Sequence, residues 1–152
     1  IMYNKSFGKF TSIITRHQRI ILDHAFKQLG FSTGTYGFFL AIAKEEGVSQ
    51  KEVTESMKTT KGTTNKALKK LEEGGFIQTI IDAEDRRLHR VYLTEKGKKI
   101  LPKVREILKA YSFELSSVLT PEEREITFNA LVKMAEKAKA MADDIREEQQ
   151  NG

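Results

Sequence analysis

Between Lys58 and Leu71 the sequence places lysines at 58, 61, 66, 69 and 70 and no acidic residue, in a chain whose 26 basic and 21 acidic residues otherwise intermingle. The same segment sets buriable side chains at Thr64, Leu68 and Leu71, the i, i+4, i+7 spacing of one helical face. Thr60 to Leu71 therefore reads as an amphipathic helix, with Glu72, Glu73, Gly74 and Gly75 closing it. Gly62, Thr63, Lys66, Lys69 and Lys70 are left pointing outward. Such a helix needs a scaffold for its stripe, and its outer face suits a polyanion.

The neighbouring segments supply the scaffold. Phe76 to Ile81 is rich in β-branched and apolar residues and reads as a strand, and Val91 to Leu93 can pair back against it. The stretch from Asp82 to Arg90 is too polar for a core, so the whole is a β-hairpin with a charged tip. Upstream, Tyr36 to Glu46 reads as a helix with Tyr36, Phe39, Leu40 and Ala43 as its core stripe, Ile42 beside it, and Gly47 as its stop. Ser49 and Glu52 form a capping-box pattern for a short helix through Met57, with Val53 and Met57 as its buried side. Lys58 to Thr60 is the tight turn into the basic helix. Helix, turn and basic helix followed directly by a hairpin is the winged helix-turn-helix arrangement, in which the second helix enters a major groove and the wing reaches the adjoining minor groove.

Within that arrangement each outward residue has a chemistry. Lys61, Gly62, Thr63 and Lys66 occupy the first turns of the basic helix: threonine can hydrogen-bond a base edge or pack on a thymine methyl, lysine can reach guanine acceptors or phosphate, and glycine lets the backbone approach. Asn65 can pair with adenine, though it borders the buried stripe; Lys69 and Lys70 lie further along and suit phosphate. Arg86 and Arg90 are assigned to the nucleic-acid backbone.

The hairpin and the helix start after it read Asp85-x-Arg87-x-x-x-Val91-x-Leu93-Thr94-x-x-Gly97, preceded by Leu71-Glu72-x-x-Gly75-Phe76-Ile77. With both motifs in register, the chain resembles the multiple-antibiotic-resistance-regulator (MarR) family of ligand-responsive, dimeric winged-helix transcription factors over nearly its whole length. The resemblance implies a mainly α fold with a small β-hairpin wing. It implies one domain over residues 1–152, in which a DNA-binding lobe at 32–93 is inserted between dimerisation helices at 1–31 and 94–152. It implies a homodimer on a pseudo-palindromic duplex, acting as a repressor that a small anionic or aromatic effector releases. Asp85 and Arg87 match the positions at which the family's acid orients an arginine into the minor groove. Asn65-Lys66 departs from the threonine and arginine common there, and lysine lacks the planar fork that reads guanine bidentately.

The flanks fit long packing helices. Phe7, Phe10, Ile13, Ile14, Ile20, Ile21, Leu22 and Leu29 spread over two faces of a helix ending near Gly30, which gives it more than one thing to pack against. Thr94 caps a helix with apolar residues from Ile100 to Leu119, and Pro102 inside it is expected to kink it. Thr120-Pro121-Glu122-Glu123 restarts helix, Ile126, Leu131, Met134, Ala138, Met141 and Ile145 line the last helix, and Gln149 to Gly152 should fray. Ile1 ahead of Met2 reads as the remnant of a trimmed tag.

With 152 residues the chain is long enough to bury a sizeable core. It has no cysteine, hence no disulfide and no thiol chemistry, and a cytoplasmic location is expected. No apolar run approaches a membrane span. No nucleophile elbow, phosphate-cradling glycine loop or His-Glu-x-x-His motif occurs, so the chain is expected to be no enzyme and to need no cofactor. His17 and His24, seven apart, do not match the usual spacing of a helical metal pair, and no metal is expected. Asp82, Glu84 and Asp85 crowd into one loop, where pairing with the adjacent arginines is the expected use. Arg16, His17, Tyr36 and Phe39 are the candidates to line an effector cleft, a cation for a carboxylate and rings for an apolar body. Two other readings share the sequence: a winged-helix module that binds protein or RNA, and a ligand or metal sensor with a vestigial wing.

Overall fold

A computed structural model describes residues 5–152; Ile1 and Met2 lie outside it. The described chain runs α1 (Phe7–Phe26), a single 3-10 turn, α2 (Tyr36–Lys44), β1 (Val48–Ser49), α3 (Gln50–Ser56), α4 (Lys61–Glu73), β2 (Ile77–Ile81), β3 (His89–Leu93), α5 (Glu95–Ser116) and α6 (Pro121–Asn151). It is a mainly helical chain with a small antiparallel sheet of order β1-β3-β2.

The helices start where the sequence offers caps. Ser49 accepts from Glu52 N–H while the Glu52 carboxylate takes Ser49 N–H, and Thr120 with Glu123 repeats this box at α6 with Pro121 just inside. The stop of α4 is equally local. Phe76 N–H reaches Leu71 C=O at 3.0 Å and Gly75 N–H reaches Glu72 C=O at 2.9 Å, with Gly75 at φ +77°. That geometry explains the Leu71-Glu72-x-x-Gly75-Phe76 motif: glycine takes the left-handed position, and the apolar residues at both ends of the turn are buried. The turn from α3 to α4 closes the same way with Lys58 at φ +52°, where a side chain makes the conformation less favourable than glycine would.

The second motif has an equally local cause. Thr94 accepts Gly97 N–H at 3.0 Å, capping α5, while its own N–H and hydroxyl are directed to the carbonyls of Phe76 and Gly75. A Cβ at position 97 would overlap the Phe76 carbonyl, so only glycine lets α5 start against the beginning of β2. The core beside this junction is aromatic: Phe31 stacks 4.4 Å from Phe76 and 4.9 Å from Phe39, and Phe26 lies 5.7 Å from Tyr36. Leu22, Ile42, Val53, Leu68, Leu71 and Val91 complete it.

Several expectations are corrected. α2 ends at Lys44, not Glu46, and its buried face is Phe38, Phe39 and Ile42, with Tyr36, Leu40 and Ala43 only half-buried. The hairpin tip is shorter than the polar run, because His89 and Arg90 pair with Ile81 and Ile80 as strand residues. β1 was not expected; Val48 pairs with Val91. α6 remains helical to Asn151 where fraying was expected, while Pro102 lies inside α5 as the sequence placed it.

The chain divides into two compact units, one closing at Ala110 and the other spanning Tyr111–Gly152. The first holds the sheet and the aromatic core. In the second, Arg124 donates to the Ser116 carbonyl at 3.0 Å and Asp143 pairs with Lys139 and Arg146. α6 has no buried residue along its 31 positions. No helix among the described residues is long and apolar enough to cross a membrane.

Candidate nucleic-acid interface

The crossing of α3 and α4 is pinned by two threonines. The Thr64 hydroxyl donates to Thr60 C=O at 3.1 Å and accepts from the Thr54 hydroxyl at 2.8 Å, with Thr64 wholly buried beside Ala67, Leu68 and Leu71. Sequence reading placed Thr64 on the buried stripe but missed Thr54 as its partner. With that face fixed, Lys61, Gly62, Thr63, Asn65, Lys66, Lys69 and Lys70 are all exposed. The four lysines make no ion pair among the described residues. Asn65, expected to border the stripe, stands in the open.

The first turn of α4 carries two further details. Thr60 caps the helix by accepting Thr63 N–H at 3.3 Å, and the Thr60 and Thr63 hydroxyls lie 3.0 Å apart, so the exposed Thr63 side chain is already oriented. Beyond its chain neighbours and the helix's own backbone, no atom lies within 4 Å of where a Cβ on Gly62 would stand. Unlike Gly97, Gly62 answers to no internal packing.

In the wing, Asp85 accepts both the backbone N–H of Arg87 at 3.1 Å and its Nε at 3.2 Å. The pair forms within the turn between Asp82 and Leu88, a short-range bond from an aspartate to its own backbone two residues on. The Arg87 side chain is 91% exposed, projecting from this anchor. Arg90 differs. Its side chain is 36% exposed, its Nε donates to Asp82 at 2.6 Å and its Nη1 to Gly47 C=O at 3.0 Å. Sequence reading assigned Arg90 to the nucleic-acid backbone; here two of its five N–H donors are directed inward at protein acceptors. Asp82 also accepts Glu84 N–H at 2.8 Å and Asp85 N–H at 3.0 Å. Arg90 first, and then these amides, hold its carboxyl down to about 2. Arg86 is exposed at the tip.

Between wing and helices runs a groove of about 470 Å³ lined by Ser49, Gln50, Lys51, Thr54, Lys61, Asn65, Arg87, Leu88 and His89. Lys51, Gln50 and His89 were missed, because nothing in sequence spacing brings the start of α3 beside the wing; the pairing of β1 with β3 does so.

A larger cavity of about 840 Å³ lies between α1 and α2, with Arg16, Arg19, Thr33, Tyr36, Phe38 and Met57 among its lining. Of the effector candidates it gathers Arg16 and Tyr36 but not the other two. Phe39 is wholly buried in the aromatic cluster, and Phe38 faces the cavity in its place. His17 binds the Ile13 carbonyl on its own helix through Nδ1 at 2.8 Å. Among the described residues no group of three histidine or carboxylate side chains gathers around a metal position.

Comparison with known proteins agrees with this architecture. Residues 29–88 match the model of the MarR family. The chain is 33% identical to an uncharacterised HTH-type transcriptional regulator, YybA of Bacillus subtilis, across 82% of this chain and 83% of that protein. It is 31% identical to a MarR transcriptional regulator from Methanosarcina mazei, whose crystal structure it matches with a TM-score of 0.79 over 88% of this chain and 96% of the other. The MepR protein of S. aureus, solved in complex with DNA, shares the fold at 22% identity and a TM-score of 0.80, over 89% of this chain and 99% of that one.

Proposed function

The chain belongs to the MarR family of transcriptional regulators, and from that premise we propose that it binds duplex DNA as a homodimer, with α4 in a major groove and the wing in the adjoining minor groove. The observation that carries this reading is the outward face of α4: unpaired lysines, an oriented Thr63 and an unfilled Gly62, with no acid between Lys61 and Leu71. Lysines there release counterions from DNA, while Thr63 and Lys66 stand where base edges would be read. MepR, of the same fold, was captured on DNA, which supports the same use here.

Selection of bound duplexes from a randomised pool, followed by sequencing, tests it. An enriched, two-fold-related sequence is expected. On that duplex Thr63→Ala and Lys66→Ala should each lose about 1–3 kcal/mol at particular base pairs, whereas Lys69→Ala should weaken all sequences alike. Uniform weakening by all three would mean that α4 rests on phosphate only.

The cavity between α1 and α2 fits an effector with a carboxylate and an aromatic body. Arg16 and Arg19 supply the cations, and Tyr36, Phe38 and Met57 supply the apolar wall. Such a ligand would act in release of a repressed promoter. Calorimetric titration of simple aromatic carboxylates should give binding that Arg16→Ala abolishes; unchanged binding in that variant would place the site elsewhere.

A further inference from the structure

The wing's contact arginine is only the end of a chain of bonds that begins in the body of the lobe. Gly47 follows α2 with φ +88°, and its carbonyl accepts Arg90 Nη1 at 3.0 Å. Arg90 Nε reaches Asp82 at 2.6 Å; the other Asp82 oxygen takes Asp85 N–H at 3.0 Å; Asp85 in turn holds Arg87 Nε at 3.2 Å. Each link fixes the next in position, and the chain bridges residues 43 apart in sequence at its inner end. We propose that Arg90 is a positioning residue for DNA recognition: it touches no DNA, and through Asp82 and Asp85 it sets where the Arg87 guanidinium stands relative to α4. This rests on the reading of the wing as a minor-groove contact.

The geometry favours this role over simple stabilisation of the sheet. β2 and β3 are paired over five positions by backbone bonds that do not involve the Arg90 side chain. The tip between them is ordered by the Asp82 cap, by the Asp85 carboxylate on Arg87 N–H, and by Leu88 N–H to Asp85 C=O and Asp82 N–H to Leu88 C=O, both at 2.9 Å. Removing the guanidinium therefore leaves the ladder intact and frees the Asp82 carboxylate, the group on which the turn is built. A fork that bonds two acceptors at once is a task for arginine; lysine, with one ammonium, can satisfy Asp82 or Gly47 but not hold both in a plane.

The test uses the full chain and a duplex recovered by selection from the randomised pool. Arg90→Gln should bind it at least about fivefold more weakly, the low end of what one specific groove contact contributes. Arg90→Lys should fall between it and the unaltered protein. On an Arg87→Ala background Arg90→Gln should cost nothing further, because its effect passes through Arg87. A second measurement needs no DNA: trypsin should cut after Arg86 or Arg87 several-fold faster in Arg90→Gln at a temperature well below the melting transition of either protein, as an unbraced tip opens without the lobe unfolding. Full binding by Arg90→Gln, or an equal loss on the Arg87→Ala background, overturns the proposal and leaves the DNA interface standing. Absence of duplex binding by the unaltered protein overturns both.

Discussion

Single residues at the interface separate stability from function by sign. Gly62 sits in the first turn of α4 with open space beside it, so alanine there should help the helix by up to about 0.5–1 kcal/mol, glycine being the poorer helix former. If the backbone is left bare so that DNA can come close, Gly62→Ala should raise the melting temperature and lower duplex affinity together. Equal binding with higher stability would remove Gly62 from the interface. Asp82 makes a second separation, by pH. Its folded value of about 2 lies below the ordinary 3.8, so its contribution to the lobe is complete above the ordinary value and is lost as pH falls from there through about 2. The stability difference between the unaltered protein and Asp82→Asn should stay constant at neutral and mildly acidic pH and close across that window, as measured by melts in a pH series.

At the scale of elements, what was legible in the sequence is what local geometry decides. Caps at Ser49 and Thr120, the stop at Gly75 and the Thr94-x-x-Gly97 start each depend on residues within a few positions, and each stands where the sequence placed it. The outward face of α4 was legible for the same reason. The failures are tertiary. α2 has apolar side chains all round, from Tyr36 to Ile42, so periodicity could not choose which rings are buried, and Phe39 was assigned to a cleft that Phe38 faces. β1 is two residues long, and Ser49 also serves as the cap of α3, so neither length nor pattern marked a strand. The inward bond of Arg90 was not legible because its acceptor, Gly47, is distant in sequence. The junction of β2 and α5 offers a direct check of the local part: Gly97→Ala forces a Cβ into the Phe76 carbonyl and should cost about 1–3 kcal/mol in urea unfolding. A neutral result would mean that the start of α5 can slide without consequence.

For the whole molecule the outstanding physical question is what stabilises the helices at the two ends of the chain. A lone helix in water is marginal, and most helical stability comes from packing an apolar face. α6 nevertheless buries no residue in the single chain, while Ile126, Phe128, Leu131, Met141 and Ile145 lie exposed on it, as do Phe7, Phe10 and Ile20 on α1. Apolar exposure on this scale in a charged chain fits a second copy, and a two-fold DNA site asks for one. Substitution distinguishes the possibilities. Replacing an exposed surface residue changes stability by only about 0.5 kcal/mol either way, so Leu131→Glu with Ile145→Glu should be silent in a monomer. In a dimer it should place charges in an apolar seam. The full chain is expected to sediment at twice its 17.3 kDa and the double variant at that mass, with the unit ending at Ala110 still folded around its own core. Duplex affinity should then fall well beyond any local contact, because the second recognition helix is no longer held at high effective concentration beside its half-site. A monomeric full chain, or a variant that keeps its mass and its affinity for the two-fold duplex, would assign these faces to something other than dimerisation.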